Sequence, residues 1–216
     1  MIKKNLLIAI DGPSASGKGT LAKKIAQYFK IPYLNTGALY RLLAFRAINQ
    51  SLDSDLDDKN IKLLISNLNI NENELENEEL FSEKVAKIAS LIARNSEVRK
   101  ALFNFQRNFA TINKEKFNGA VLDGRDTTTV ICPDADYKFF ITASVEIRAK
   151  RRFEQLKLQN PNADYQEILT QLQQRDENDY NRKEAPLKIA ENSVMIDNSN
   201  LSIEEGFLKI LDIINP

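Results

Sequence analysis

Histidine and tryptophan are absent from this 216-residue chain, and there is one cysteine, Cys132. Without histidine there is no Ser–His–Asp triad, no imidazole general base and no histidine-ligated metal. One cysteine supports neither a disulfide framework nor a thiolate zinc cluster, so a reducing, cytoplasmic setting is expected, with Cys132 a structural thiol beside Pro133. An excess of either charge is missing too. The 30 Lys and Arg balance the 30 Asp and Glu, which gives no electrostatic reason to expect a nucleic-acid or membrane partner. The N-terminal apolar run, Leu6 to Ile10, is too short for a signal-peptide core or a bilayer span. What remains for chemistry is carboxylates, arginines, lysines, hydroxyls, backbone amides, or a metal held mostly by a substrate. The 43% hydrophobic and 28% charged composition is ordinary for a globular protein, and the length suits one domain with one or two insertions.

The apolar run Leu6–Ile10 fits a short buried strand of a parallel sheet. Leu21, Ile25 and Phe29 recur every fourth residue behind it, which predicts an amphipathic helix. Further strands are expected at Ile31–Leu34, Ala120–Leu122, Tyr137–Thr142 and Ser193–Ile196. With helical patterns between them, this is a βαβα alternation. Ser202 and Glu205 form a capping box for a last helix carrying Ile203, Phe207, Ile210, Leu211 and Ile214. Charge is segregated along the chain. Residues 51–84 hold ten acidic side chains and three lysines, a net of −7 that reads as a solvated insertion, whereas all eleven arginines lie elsewhere.

Glycine is scarce, with seven in all, yet three fall within the eight residues 12–19. Gly12-Pro13-Ser14-Ala15-Ser16-Gly17-Lys18-Gly19-Thr20 matches the phosphate-binding pattern G-x-x-x-x-G-K, directly after one predicted strand and before one predicted helix. Glycines let the backbone N–H groups turn inward around a phosphate, the helix N-terminus adds partial positive charge, and the lysine bridges phosphates. The hydroxyl that many ATPases and GTPases place next to the lysine comes one residue later, at Thr20. Mg2+ is therefore expected to be held mainly by nucleotide phosphates and water, with no dedicated metal-ligating residues. Asn113-Lys114-Glu115-Lys116 lacks the acidic fourth residue of a guanine-selecting motif.

Four more segments complete the pattern: Asn35-Thr36-Gly37-Ala38-Leu39-Tyr40-Arg41; Gly124-Arg125-Asp126; the run with Arg175, Asp176, Asp179, Arg182, Ala185, Pro186 and Leu187; and Ile196-Asp197 with Leu201-Ser202-Ile203-Glu204-Glu205. Together with the phosphate loop they resemble the bacterial cytidylate kinases, nucleoside monophosphate kinases of the P-loop class, over nearly the whole chain. The resemblance implies an α/β fold: a five-stranded parallel sheet flanked by helices, in one domain (1–216) with an NMP-binding insertion at about 36–118 and a small lid at about 148–183. It implies ATP-dependent phosphorylation of CMP and dCMP by a monomer. Gly12, Pro13, Ser14, Ala15, Ser16, Gly17, Lys18, Gly19 and Thr20 would hold ATP. Thr36 and Ser90 would contact the cytosine, with Tyr40 beside them, and Asp126 would accept from its amine. Arg41, Arg99 and Arg125 would hold the CMP phosphate, Arg175 and Asp179 the sugar hydroxyls, and Arg182 would face the base. Arg148, Arg151 and Arg152 would close over the transferring group, with Lys18, Arg125, Arg151 and Arg182 catalytic.

Read by themselves, several of these residues have ordinary alternatives. Arg41 is also placed as a helix-surface arginine, Asp126 as a turn cap, and Arg175, Asp179 and Arg182 as an exposed salt-bridged helix face. Another small P-loop kinase acting on AMP, UMP or shikimate, or a non-catalytic nucleotide-binding module, is the alternative function. Two positions depart from the family's usual pattern. Asn35 stands where an aspartate is usual. Thr127-Thr128-Thr129 follows Asp126 where the family has an apolar residue, glycine and threonine. Thr128 is thus expected to disturb the backbone beside Asp126, because it replaces a permissive glycine with a β-branched residue.

Overall fold

The computed structural model describes residues 5–66, 68–158 and 160–215. Strand β1 (Leu6–Asp11) is buried at all six positions, as a strand covered on both faces must be. It pairs in parallel with β3 (Gly119–Gly124) on one side and with β4 (Tyr137–Thr142) on the other. β2 (Tyr33–Asn35) and β5 (Val194–Asp197) complete the sheet in the order β2-β3-β1-β4-β5, and β5 runs parallel to β4. The strands expected at Ile31–Leu34, Ala120–Leu122 and Ser193–Ile196 are displaced by one or two residues at their ends, while the one at Tyr137–Thr142 has the expected limits.

Helix α1 (Lys18–Phe29) buries Leu21, Ala22, Ile25, Ala26 and Phe29 in one core with Leu6, Ile8 and Ile10. The last helix (Ile203–Ile214) adds Phe207, Ile210 and Ile214 to that core. Burying side chains of this size contributes about 1.5–3 kcal/mol each, so this layer stabilises the sheet substantially. The capping box read from the sequence is present: the Ser202 hydroxyl accepts from the Glu205 N–H at 3.2 Å, and the Glu205 carboxylate accepts from the Ser202 N–H at 2.8 Å.

The chain divides into two compact units, 1–34 with 110–216, and 35–109. The second holds α2 (Thr36–Asn49), α3 (Asp58–Ser66), two short 3-10 turns (Glu72–Glu76 and Glu78–Phe81), α4 (Glu83–Ile92) and the first part of α5 (Ser96–Lys116). Its acidic stretch is largely exposed but is anchored by buried Ile61, Leu64 and Leu80, and by Arg46, which reaches the Glu74 carboxylate at 3.1 Å. Asn35 keeps the capping function of an aspartate, since its side-chain oxygen accepts the Ala38 N–H at the start of α2.

In the first unit, α6 (Val145–Lys157) and α7 (Tyr165–Asn181) form a hairpin around a small core of Ala149, Ile168 and Leu172, with Phe153 and Tyr165 edge to face at 6.2 Å. The last helix, Ile203–Ile214, is α8. The carboxyl ends of β1, β3, β4 and β5 lead into the phosphate loop, the Arg125-Asp126 turn, the start of α6 and Asn198. These are the positions at which open parallel sheets carry their ligands.

Candidate active site

Gly12 leaves β1 with φ 153°, and a Cβ there would lie 1.9 Å from the Ile141 carbonyl oxygen, so no side chain fits. Gly17 caps α1 at φ 89°, where a Cβ would come within 2.7 Å of the Asn198 amide nitrogen. These two positions therefore require glycine, which is why a glycine-poor chain places them here. Asn198 donates from its side chain to the Ser16 carbonyl at 3.1 Å, so the segment after β5 braces the loop. The Ser16 hydroxyl is buried with no hydrogen-bond partner.

Lys18, the first residue of α1, is only 8% exposed, and its ammonium donates to the Pro13 carbonyl at 3.3 Å. Burial is the main reason that its pKa falls from 10.5 to about 7, and the positive Arg125 and Arg175 lower it further, with partial relief from Asp123. Asp123, at the end of β3, is itself buried and accepts from the Tyr33 hydroxyl at 2.7 Å. Burial holds its pKa above the usual range, against the opposing effect of Lys18 and of that hydroxyl.

Beyond β3 the charges interlock. Arg125 Nε donates to an Asp179 carboxylate oxygen at 2.7 Å. Arg182 lies 3.7 Å from Asp126 and 3.8 Å from the other Asp179 oxygen, and it is fixed from behind by the Ala185 carbonyl at 2.8 Å. Burial would raise the Asp179 carboxyl, but Arg125, Arg175 and Arg182 outweigh it and hold it below its usual value. Arg175 is pushed down to about 10, first by burial and then by Arg125, and its Nε is buried without a partner. Arg175 and Asp179 lie within α7, and Arg182 caps its end. With Asp179 and Arg182 at 12% and 7% side-chain exposure and Arg175 half-buried, the trio at i, i+4 and i+7 is not a solvated salt-bridged face. Asp126 precedes a π-helical turn (Thr127–Ile131) but makes no side-chain capping bond to it, so the turn-cap alternative is not what the structure shows.

The three arginines of α6 part company. Arg148 is buried, and its donors are committed to Ala143 O (2.9 Å), to Ser14 O in the phosphate loop (3.2 Å) and to the Asp176 carboxylate (2.6 Å). Here it is a brace between the loop and α7. Arg151 donates to Asn198 O at 2.7 Å, while its second terminal nitrogen is buried and unpartnered. Arg152, half-buried, lowers the Arg175 pKa by like charge.

In the second unit, Thr36 is buried at the start of α2. The Arg99 guanidinium lies 5.7 Å from the Tyr40 ring and donates to Ala93 O at 3.2 Å. Arg41 donates to Leu80 O at 2.7 Å, with the Phe81 ring at 5.3 Å. Ser90 is half-buried on α4.

The sequence assigns no role to Asp123, Tyr33, Asp11, Asp176 and Asn198. Asp123 had a usable signal, an acid closing the buried apolar run Val121-Leu122 just ahead of Gly124-Arg125-Asp126. The other four are recognisable only through partners far away in the chain, such as Tyr33 with Asp123.

Residues 8–216 match the family model described as cytidylate kinase. A cytidylate kinase of Bartonella tribocorum is 46% identical over 213 residues, covering 99% of this chain and 96% of that protein. One from Azorhizobium caulinodans is 43% identical over 209 residues, covering 97% and 98%. Among solved structures, a shikimate kinase from Bacteroides thetaiotaomicron superposes with a TM-score of 0.52 at 15% identity, covering 98% of this chain and 99% of that one. An uncharacterised protein from Eubacterium ventriosum gives 0.56 at 16% identity, covering 97% and 98%. Those two likenesses concern the fold, which is that of the P-loop kinases. A match spanning the phosphate loop, the Arg125-Asp126 turn and α7, with relatives alike from end to end, leaves one conclusion: the chain belongs to the cytidylate kinase family.

Proposed function

We propose that this protein transfers the γ-phosphoryl group of ATP to CMP and dCMP, giving ADP and CDP or dCDP. The observation that carries the reading is the buried cluster Arg125, Arg175, Asp179, Arg182 and Asp126, which shares the carboxyl end of the sheet with Lys18. So many cations packed together, with Lys18 driven towards neutrality, form a cluster suited to phosphates.

The nucleotide phosphates would lie in the loop Gly12–Thr20, against Lys18, the loop amides and the unpartnered Ser16 hydroxyl. A phosphate oxygen of the acceptor attacks the γ-phosphorus, and the bond from that phosphorus to the bridging oxygen of ADP breaks on the opposite side. Lys18 and Arg125 stabilise charge on the equatorial oxygens, joined by the free nitrogen of Arg151. No general base is required, since the acceptor phosphate, with a second pKa of about 6, is already mostly dianionic at neutral pH. That explains how a chain without histidine does this chemistry.

Among the described residues no group of three or more potential ligands is placed to hold a metal by itself. The residues fit an ion that arrives on the nucleotide. Thr20 follows the loop, and the ion would be held mainly by the nucleotide phosphates and water. Mg2+ bound there would neutralise phosphate charge.

Asp126 distinguishes the base. Cytosine offers an amine donor where uracil has a carbonyl, so a carboxylate accepts from CMP and is left unpaired beside UMP, at a cost of about 1–3 kcal/mol. We read unit 35–109 as the NMP-binding insertion, supplying Thr36, Tyr40, Arg41, Ser90 and Arg99, and the α6–α7 hairpin as the lid. The enzyme would act as a monomer in the cytoplasm; no helix among the described residues is long and apolar enough to cross a membrane. Coupled ADP-release assays with CMP, dCMP, UMP, AMP and shikimate test the reading. CMP and dCMP should be the best acceptors; preference for any of the others overturns it, and tight ATP binding without transfer supports the non-catalytic module.

A further inference from the structure

Asp11 ends β1 at the point where the chain enters the phosphate loop, and it is fully buried. Nothing in the phosphoryl-transfer reading employs it, yet its carboxylate is saturated by donors from a segment more than a hundred residues away. The Thr127 N–H donates to one oxygen at 2.9 Å. The Thr128 N–H donates to the other at 2.7 Å, and the Thr128 hydroxyl donates to that same oxygen at 2.6 Å. All three donors come from the two residues that follow Asp126. The Asp126 carbonyl in turn accepts from the Val130 N–H at 2.8 Å and the Ile131 N–H at 3.2 Å. The turn carrying Asp126 is thus held at its base by Asp11 and closed on itself behind.

The expectation that Thr128 would disturb this turn does not hold. Its φ is not positive, so a β-branched residue sits there without backbone strain, and it is 1% exposed. The side chain adds what a glycine could not, a third donor on a buried carboxylate. Burial pushes Asp11 up to about 6, the bonds from Thr128 pull it back, and Asp126 raises it by like charge. At neutral pH the carboxylate is therefore charged, and the grip of the hydroxyl on it is charge-assisted.

We infer that Thr128, through its hydroxyl bond to Asp11, is a positioning residue that holds the Asp126 turn in place to read the base of the acceptor nucleotide. The inference rests on the reading of Asp126 given above and extends it to a residue that touches no substrate. Two backbone donors fix where residues 127 and 128 lie. The hydroxyl fixes the side-chain rotamer and stiffens the peptide that follows Asp126. Discrimination by a single accepting carboxylate is sensitive to its placement, because a misplaced acceptor loses the bond to CMP while UMP, which never made it, loses nothing.

The test is steady-state kinetics of the full chain with CMP and with UMP, for the wild type, Thr128→Val, Thr128→Ser and Asp126→Ala. Thr128→Val keeps the shape and deletes the hydroxyl. It should lower the CMP-over-UMP ratio of kcat/KM by about tenfold, chiefly through the KM for CMP, with the KM for MgATP within about twofold of wild type. Thr128→Ser should restore the ratio. A residue that only stabilises the fold would affect both acceptors alike and leave the ratio standing. An unchanged ratio in Thr128→Val beside a collapsed ratio in Asp126→Ala overturns the inference, as does a Thr128→Ser variant no better than Thr128→Val. An unchanged ratio in Asp126→Ala instead overturns the reading of Asp126, and the inference with it. Should Thr128→Val not fold, Thr128→Ala is read by the same criteria.

Discussion

Nucleotide binding to the phosphate loop should take up a proton at Lys18. In the free protein its pKa is about 7, because burial and two nearby guanidiniums oppose a third positive charge. The gap from 10.5 to about 7 corresponds to about 5 kcal/mol against the charged form. A bound triphosphate reverses the local field, so the ammonium becomes the favoured form. At pH 8 about nine lysines in ten are neutral before binding, and about 0.9 proton enters per nucleotide; at pH 6 the uptake falls to about 0.1. The nucleotide's own terminal phosphate, with a second pKa of about 6, is already deprotonated at pH 8 and adds little. Above pH 7 the affinity should therefore weaken by up to tenfold per pH unit. Isothermal titration calorimetry of MgATP at pH 8, in buffers of different ionisation enthalpy, reads the proton number from the slope of observed heat against buffer enthalpy. A slope near 0.9 is expected for the wild type, and near zero for Lys18→Met. A slope near zero for the wild type would refute the reasoning, since Lys18 would then be charged already in the free loop.

Further outcomes follow from the same contacts. Lys18→Ala should abolish CDP formation and leave the circular-dichroism spectrum unchanged; near-normal turnover would contradict its role. Arg148→Ala leaves Asp176 without its ion pair and the Ser14 and Ala143 carbonyls without a donor. It should cost about 3 kcal/mol, or about 6–12 °C in Tm for a chain of this size, and raise the KM for MgATP; an unaltered melting curve would show that the brace carries no weight. The folded pKa of Asp11 is raised, from 3.8 to about 6, so its favourable contribution is full below pH 3.8 and is lost as pH rises through 6. Denaturant titrations of Asp11→Asn from pH 4 to 7 should lack this loss of up to about 3 kcal/mol; identical pH profiles for variant and wild type would rule it out.

Local patterns were legible in the sequence wherever the chain itself imposed them. The phosphate loop is nine consecutive residues, the α8 capping box spans four, and the buried run of β1 is continuous, so each could be read within one window. The ends of β2, β3 and β5 were misplaced by a residue or two because hydrogen-bond pairing, which hydrophobicity only approximates, decides where a strand stops. The contents of the site were harder to read for a different reason. Asp11 with Thr128 and Tyr33 with Asp123 are 117 and 90 residues apart, and only the strand order β2-β3-β1 brings them together. Three arginines on one helix look alike in sequence. The depth at which each meets its neighbours separates a brace from a residue with a donor to spare. Thr128 was read as a steric burden since its partner, a buried carboxylate on another strand, could not be seen.

The brace from Asn198 to the phosphate loop also bears on how the protein comes into being on the ribosome. Ser16 and Gly17 are synthesised some 180 residues before the amide that supports them. The helix that completes the core around Ile8 and Ile10 follows later still. A nascent chain halted before β5 thus carries the phosphate-loop sequence without the Asn198 bond to the Ser16 carbonyl.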